Sequence, residues 1–199
     1  MVGLHPPRVD APVDLDEHLA LLPDGATCKG LFFADVIDKS KEAGKEGLLF
    51  ERAGVSPTRF RLFHDYPYAD YLRLVHAGAQ LLQSTATVGE GLRRIGRSQY
   101  EALARTHIGR VLFGVLGRDF ARIAKAGSKA YALSIGFGQV SYERLADKRG
   151  RYVFRDAPVF VETLQVGVVE GGLEATGTRG EVQVEMHSLG HGVIEFTWE

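Results

Sequence analysis

At Gly136-Phe-Gly138 the apolar residues of this chain stop recurring every three or four positions and begin to alternate. Before that point the period is that of amphipathic helices, and after it the period is that of strands with one buried face. Val140 and Tyr142 alternate with Ser141 and Glu143, Asp147-Lys-Arg-Gly150 reads as a turn, and Tyr152 and Phe154 alternate with Arg151 and Arg155. That pattern predicts a hairpin. A second hairpin ends the chain. Val182, Val184 and Met186 oppose Glu181, Gln183 and Glu185, and after Ser188-Leu-Gly-His-Gly192 the residues Ile194, Phe196 and Trp198 alternate with polar ones. Between the hairpins, about 158–176 reads as a helix opened by Asp156-Ala-Pro158. It is apolar so far around that it must be buried, and Gly167, Gly171 and Gly172 predict close backbone packing on their side. The expected fold class is α+β: a helical first two-thirds packed on a four-stranded antiparallel sheet built as hairpin–helix–hairpin.

The helical part divides at its caps and glycines. Residues 1–14 hold Pro6, Pro7 and Pro12 and predict a loose arm, with 15–199 as a single domain. Asp14 caps a short helix running to Leu22, and a helix over about 29–43 carries Phe33, Val36, Ile37 and Ser40 on one stripe. Residues 44–58, with Gly44, Gly47, Gly54 and Pro57, read as loop with about one turn of helix. A helix of about 67–83 is expected to open with Pro67 at its first position and Asp65 or Tyr66 as cap. Thr87-Val-Gly-Glu90 is a capping-box pattern for a helix over about 88–105. A further apolar helix over 107–116 stops at Gly117, and Asp119 caps a helix of about 120–135.

Composition narrows the class. With 45% hydrophobic residues and a net charge of -1, the 199-residue chain is not a disordered polyelectrolyte. Cys28 is the sole cysteine, so no intrachain disulfide scaffold exists. No apolar run approaches a membrane span, and no basic segment followed by an apolar one opens the chain, so a cytoplasmic location is expected. Charge is unevenly placed: residues 90–130 carry nine bases against three acids, and 160–199 carry seven acids against Arg179. Mutual neutralisation across the folded surface is the expectation. The alternative is a basic face of Arg93, Arg94 and Arg97 for an acidic partner. A whole-chain charge near zero, without a basic aromatic sheet, argues against nucleic acid.

Candidate chemistry is sparse. His187 and His191 are spaced i,i+4, but Gly190 and Gly192 place them at a hairpin turn, not on a helix. His76 is expected as a core-edge histidine with one hydrogen bond, His107 as structural or solvent-facing, and Cys28 as an unreactive thiol, buried or semi-exposed. Gly89-x-Gly91 lacks the dinucleotide spacing, and no phosphate loop, nucleophile elbow or zinc-protease motif occurs. The chain therefore reads as a non-enzyme without metal or cofactor. The aromatic stretch 60–71 is expected first as packing. Its functional alternative places Phe63, Tyr66 and Tyr68 around a cavity between helices and sheet, with Phe33, Phe113 and Tyr131 as further walls.

Several segments, taken in order, carry a resemblance. Leu19-Ala-Leu-Leu-Pro-Asp-Gly-Ala-Thr-Cys-Lys-Gly-Leu-Phe-Phe33, Tyr66-Pro67 before an apolar helix, Gly89-Glu-Gly-Leu-Arg-Arg-Ile-Gly-Arg97, Gly109-Arg110, Phe154-Arg-Asp156 before Pro158 and a last strand ending in Trp198 resemble an uncharacterised family. That family occurs as many paralogues in myxobacteria and brings no assigned activity. Its helices-then-hairpin–helix–hairpin order is similar to a wider ligand-binding superfamily of haem nitric-oxide sensors, four-vinyl-reductase-type sensor domains and vesicle-tethering transport components. In the haem branch a histidine on the helix before the sheet ligates iron. Here residues 120–135 hold Lys125, Ser128 and Lys129 but no histidine, and the propionate-binding pattern Tyr-x-Ser-x-Arg is missing, so no haem is expected. The resemblance implies a sensory or regulatory domain that binds an apolar or amphipathic small molecule and acts by population shift. The alternative is a protein–protein interaction module with a filled core, working as a homodimer or with a signalling partner.

Overall fold

The computed structural model describes residues 3–82, 87–105, 107–117 and 119–199. Asp14 caps α1 (Leu15–Ala20), its carboxylate accepting from the N–H groups of Asp16 and Glu17 at 2.9 and 3.1 Å. The short strand β1 (Thr27–Lys29) leads into α2 (Leu31–Glu42), which buries Phe33, Val36 and Ser40. Residues 44–58 hold more helix than their glycines suggest, because α3 (Glu46–Ala53) makes about two turns there. Gly44 (φ 67°) and Gly54 (φ 61°) are the left-handed stops of α2 and α3, a conformation that other residues adopt at a cost.

A second correction concerns Pro67. It ends the strand β2 (Asp65–Pro67), which pairs antiparallel with β1, and α4 (Tyr68–Leu82) begins one residue later. Next come α5 (Val88–Arg105) and α6 (His107–Leu116), with the expected bounds. The side chains of His107, Ile108 and Leu112, and all of Arg118, lie outside the described residues. At the start of α5 the Thr87 hydroxyl accepts from the Glu90 N–H at 3.2 Å and donates to the Val9 carbonyl. The Glu90 carboxylate serves Arg94 at 2.9 Å, so the second half of the expected capping box is replaced by an ion pair one turn on. Asp119 caps α7 (Phe120–Ser134) through the Arg122 N–H.

The sheet then forms from β3 (Gln139–Ala146), β4 (Arg149–Arg155), β5 (Gly180–Ser188) and β6 (His191–Trp198). Its order is β3-β4-β6-β5 with every neighbouring pair antiparallel, so the α+β expectation holds. Between the hairpins, α8 (Val166–Thr176) follows a π-helical turn over Val161–Gln165. The helix starts later than 158 because Phe160 sits at φ 53°, outside helical backbone space. Tyr152, Phe154, Val184, Ile194 and Phe196 form the buried face of the sheet, and Phe120 of α7 stands edge-on to Phe196 at 5.6 Å.

Two of the three glycines of α8 make the expected close backbone packing, whereas Gly172 faces the rings of Phe120 and Tyr100. A Cβ on Gly167 would strike the Arg93 carbonyl of α5, and one on Gly171 the Arg97 carbonyl. On the facing helix, Gly96 lies against the Leu164 carbonyl. Backbone therefore meets backbone along this seam. The N-terminal segment is also fastened, contrary to the loose arm expected from its prolines. His5 exchanges two backbone hydrogen bonds with Val184 at 2.9 and 2.8 Å, and Arg8 pairs with Glu162 at 2.8 Å. Among the described residues no helix is long and apolar enough to cross a membrane.

Candidate functional site

At one place in the interior the helical half and the sheet are joined through backbone. Cys28 of β1 bridges to Ile135 just after α7, and the Gly136 N–H donates to the Thr27 carbonyl at 2.9 Å. Tyr68, the first residue of α4, is held beside this bridge by its N–H on the Ala26 carbonyl at 2.9 Å. Its ring stands edge-on to Phe137 at 4.7 Å, and Tyr131 approaches from the last turn of α7. Cys28, Tyr68 and Tyr71 are buried.

The polar atoms here are unevenly satisfied. Tyr71 accepts from the Gln99 side-chain amide at 2.7 Å. The hydroxyls of Tyr68 and Tyr131 are shielded from solvent and find no hydrogen-bond partner among the described residues. A buried hydroxyl left unpaired costs about 1–3 kcal/mol, so each calls for an explanation. Burial pushes the ionisation of Tyr68, Tyr71, Tyr131 and Cys28 upward; the closeness of the cluster adds to it for the three tyrosines, and Asp65 and Asp70 add to it for Cys28. At neutral pH the cluster consists of O–H and S–H donors, not of anions. It can offer protons in hydrogen bonds but supplies no nucleophile–base pair. A cleft of about 290 Å³ opens beside Tyr131 and Ala132 of α7 at the start of β3, with Ser141, Val153 and Arg155 on its walls, on the face of the hairpin opposite to Tyr152 and Phe154. That is the small end of the range for ligand pockets.

The six aromatic residues named from the sequence separate into groups. Phe33 and Tyr66 share one cluster, their rings 5.7 Å apart, and Tyr71 connects it to Tyr68 with centroid distances of 5.5 and 5.4 Å. Tyr131 reaches the same junction from the other side. Phe63 is 61% exposed on the loop before β2, and Phe113 lies on α6 against Tyr100 at 6.3 Å. Neither of these two belongs to the helix–sheet junction, because each sits on an element that packs elsewhere. Sequence reasoning missed Cys28 and Phe137 as members. The bridge from β1 that brings Cys28 there has no local signal.

Charges elsewhere are mostly spent in pairs. Arg93 and Arg97 of α5 both grip Glu170 of α8, Arg97 at 2.8 Å, and Arg97 also lies 3.3 Å from Glu174. Burial works to raise the Glu170 carboxyl, but the hydrogen bonds from Arg93 and Arg97 outweigh it and hold the group below its usual range. The expected neutralisation is thus formed at these positions. Elsewhere the short-range pairs include Arg122 with Asp119 at 3.4 Å and Arg144 with Asp147 at 2.7 Å. His187 and His191 lie on different strands near a carboxylate each, Glu185 at 3.9 Å and Asp156 at 3.7 Å. No cluster of three metal-ligating side chains occurs among the described residues. His76 is half-buried on α4, with burial lowering its pKa against a hydrogen bond to the Val13 backbone.

Comparison with known proteins places the fold. Residues 23–199 match the model of a family described as a protein of unknown function, DUF2378. Among curated proteins nothing matches. Solved structures similar to this one include H-NOX proteins. A point mutant of the Fe(II) unliganded H-NOX protein from K. algicida has a TM-score of 0.66 at 10% identity, over 86% of this chain and 96% of that one. The H-NOX protein from S. oneidensis in the Fe(II)NO state gives 0.65 at 12%, over 86% and 99%. The H-NOX domain from Shewanella oneidensis in the Fe(II)CO state gives 0.64 at 14%, over 86% and 98%. At these identities the likeness is one of fold.

The residues present do not fit a haem. The inward side of α7 consists of Phe120, Ile123, Ala124, Gly127 and Tyr131, with no imidazole among them. Cys28 and Tyr131 have side-chain types that ligate haem iron elsewhere, but burial favours their protonated forms. Tyr68 and Phe137 stand edge-on at 4.7 Å beside α7 with the Cys28–Ile135 bridge next to them, which narrows the interior there far below the size of a haem.

Proposed function

The chain belongs to the DUF2378 family, and from that premise we propose that it is a non-enzymatic sensory or regulatory domain. It binds an apolar or amphipathic small molecule between its helices and its sheet. The observation that carries this reading is the pair of shielded, unpartnered hydroxyls of Tyr68 and Tyr131 at the helix–sheet junction. A ligand with an apolar body and one or two acceptor atoms satisfies them and enters by the cleft beside Tyr131. The fold supports the reading, since H-NOX proteins with it are known in Fe(II)NO and Fe(II)CO states. Here two phenols stand where the chemistry is wanted, and no haem is involved. Ligand favours the conformation in which both hydroxyls are paired and shifts the population toward it. The same reading puts the protein in a reducing cytoplasm, with Cys28 an inert buried thiol.

Native mass spectrometry of gently purified protein, against the denatured mass, tests the proposal. Extra mass that vanishes on denaturation is expected. Tyr68→Phe and Tyr131→Phe should each lose that mass, while raising the stability of the ligand-free protein by about 1 kcal/mol through removal of an unpaired hydroxyl. A bare wild-type mass, with both variants less stable than wild type, would sink it. Val111 and Val115, one turn apart on α6, are 56% and 75% exposed and favour a second reading. In that reading the chain is an interaction module with a filled core, a homodimer or scaffold, and the bare mass appears at a fixed multiple of the chain.

A further inference from the structure

A second cavity lies away from the helix–sheet junction, in the segment between α3 and β2. Thr58–Leu62, His64 and Tyr66 line a concavity of about 790 Å³ on the surface, broadly open to solvent. The segment is held in place by its backbone. The Gly30 N–H donates to the His64 carbonyl at 2.9 Å and the Leu31 N–H to the Leu62 carbonyl at 3.1 Å. The Arg61 N–H donates to the Tyr66 hydroxyl at 2.9 Å. Gly30 is required at this approach, because a Cβ there would strike the Arg61 carbonyl.

One wall of the cavity is aromatic. Phe60 stacks on Phe33 at 4.1 Å with 12° between the planes, and Tyr66 stands edge-on to Phe60 at 4.8 Å. The rim is cationic. Arg59 and Arg61, two residues apart, both line the opening with His64. Among the described residues neither guanidinium has a carboxylate partner, and the adjacent Asp65 is held by Lys29 at 2.8 Å. A single unpaired surface arginine is ordinary. Two of them on one cavity, beside a fixed aromatic wall, make a recognition surface for an anion with a flat apolar part.

We infer that this cavity binds an organic phosphate bearing a planar ring, of about mononucleotide size. Arg59 and Arg61 take the phosphate, and the ring lies against Phe60 and Tyr66. The charge fits: a phosphate monoester carries about -1.5 to -2 at neutral pH, which matches two guanidinium groups where a carboxylate would leave one unpaired. The size fits as well, since an inorganic anion alone would leave most of the opening to water.

The experiment is calorimetric titration of the full chain with adenosine 5′-monophosphate at low salt, and of the double variant R59A/R61A. Saturable one-to-one binding is expected. The double variant should bind at least about tenfold more weakly with its melting temperature unchanged, as loss of charge-assisted bonds at an exposed site requires. Inorganic phosphate and adenosine should each bind more weakly than the joined molecule. Tyr131→Phe should bind the nucleotide as wild type does, so this inference and the junction site fail separately. Lack of saturable binding overturns it, as does an affinity indifferent to both substitutions or equal for nucleotide and inorganic phosphate. Leu62 and Phe63, 39% and 61% exposed beside the arginines, define the other outcome that overturns it. That outcome is sedimentation with phosphatidylglycerol vesicles that the nucleotide does not compete away.

Discussion

Two pairs of arginines divide the molecule. Arg93 and Arg97 lie one turn apart on α5 and close on the Glu170 carboxylate of α8, 70 and more residues away. Arg59 and Arg61 lie two residues apart before β2 and face an opening instead. The first pair is half-covered, and its partner is fixed because the two helix backbones touch at Gly167 and Gly171. The second pair is exposed on a segment whose backbone is hydrogen-bonded to Gly30 and Leu31, and among the described residues neither guanidinium has a carboxylate partner. Where tertiary structure brings an acid to the base, charge becomes part of the architecture. Where it builds a hollow with no acid, charge stays available to a ligand.

The comparison can be broken at the seam first. Gly167→Ala drives a methyl group into the Arg93 carbonyl and should cost about 3 kcal/mol of stability in urea denaturation. An unchanged midpoint would mean that α5 and α8 separate freely, and that the pairing of Arg93 is not imposed by backbone contact. Glu170→Gln comes next. It keeps the volume but leaves two guanidinium groups without their anion, and about 2 kcal/mol should be lost. Equal stability in a thermal melt would reduce the α5 pair to solvated surface charge.

Acid should act more gently and in two stages. Burial lowers the pKa of His18, against its hydrogen bond to the Pro158 carbonyl, and lowers that of His76. An unfolded histidine takes its proton near pH 6.5, so below that pH the unfolded chain binds more protons than the folded one. Stability is therefore full above about pH 6.5 and declines as pH falls toward the lower folded values. Glu170 adds a second decline below its unfolded value of 4.5, because its folded carboxyl is held lower. Melting curves across pH should show both stages, and Glu170→Gln should remove the second. The smallest effect belongs to the other arginines. R59A/R61A should change stability by no more than about 0.5 kcal/mol, and a larger loss would make the loop pair structural.

The long elements were legible because their periods are long. The caps at Thr87 and Asp119 and the stop at Gly117 set the bounds of α5, α6 and α7, and alternation around Asp147 and Gly190 showed both hairpins. The pair β1–β2 was not legible, since three residues show no alternation and Pro67 reads equally well as a helix start. At α3, glycines that end two helices looked like one glycine-rich loop. The site was harder. Tyr68 and Tyr131 could be named as aromatic walls, but an unpaired hydroxyl is a property of everything that surrounds it. Arg59 and Arg61 drew no notice because the excess of charge lies in residues 90–130, where Arg93 and Arg97 turn out to be paired with Glu170 through contacts that no sequence window spans.

Along the α5–α8 seam the two helix backbones meet at Gly96, Gly167 and Gly171, and the Arg93 and Arg97 pairs to Glu170 lie across the same contact. Neither helix can roll about its own axis without collision, so the two behave as a single beam. One side of that beam carries α4 and the helical half, and its ends run into the two hairpins through the π-helical turn and β5. A rearrangement at Tyr68 and Tyr131 is therefore taken up by α7 and the β3–β4 hairpin that packs beside it, not by this pair of helices.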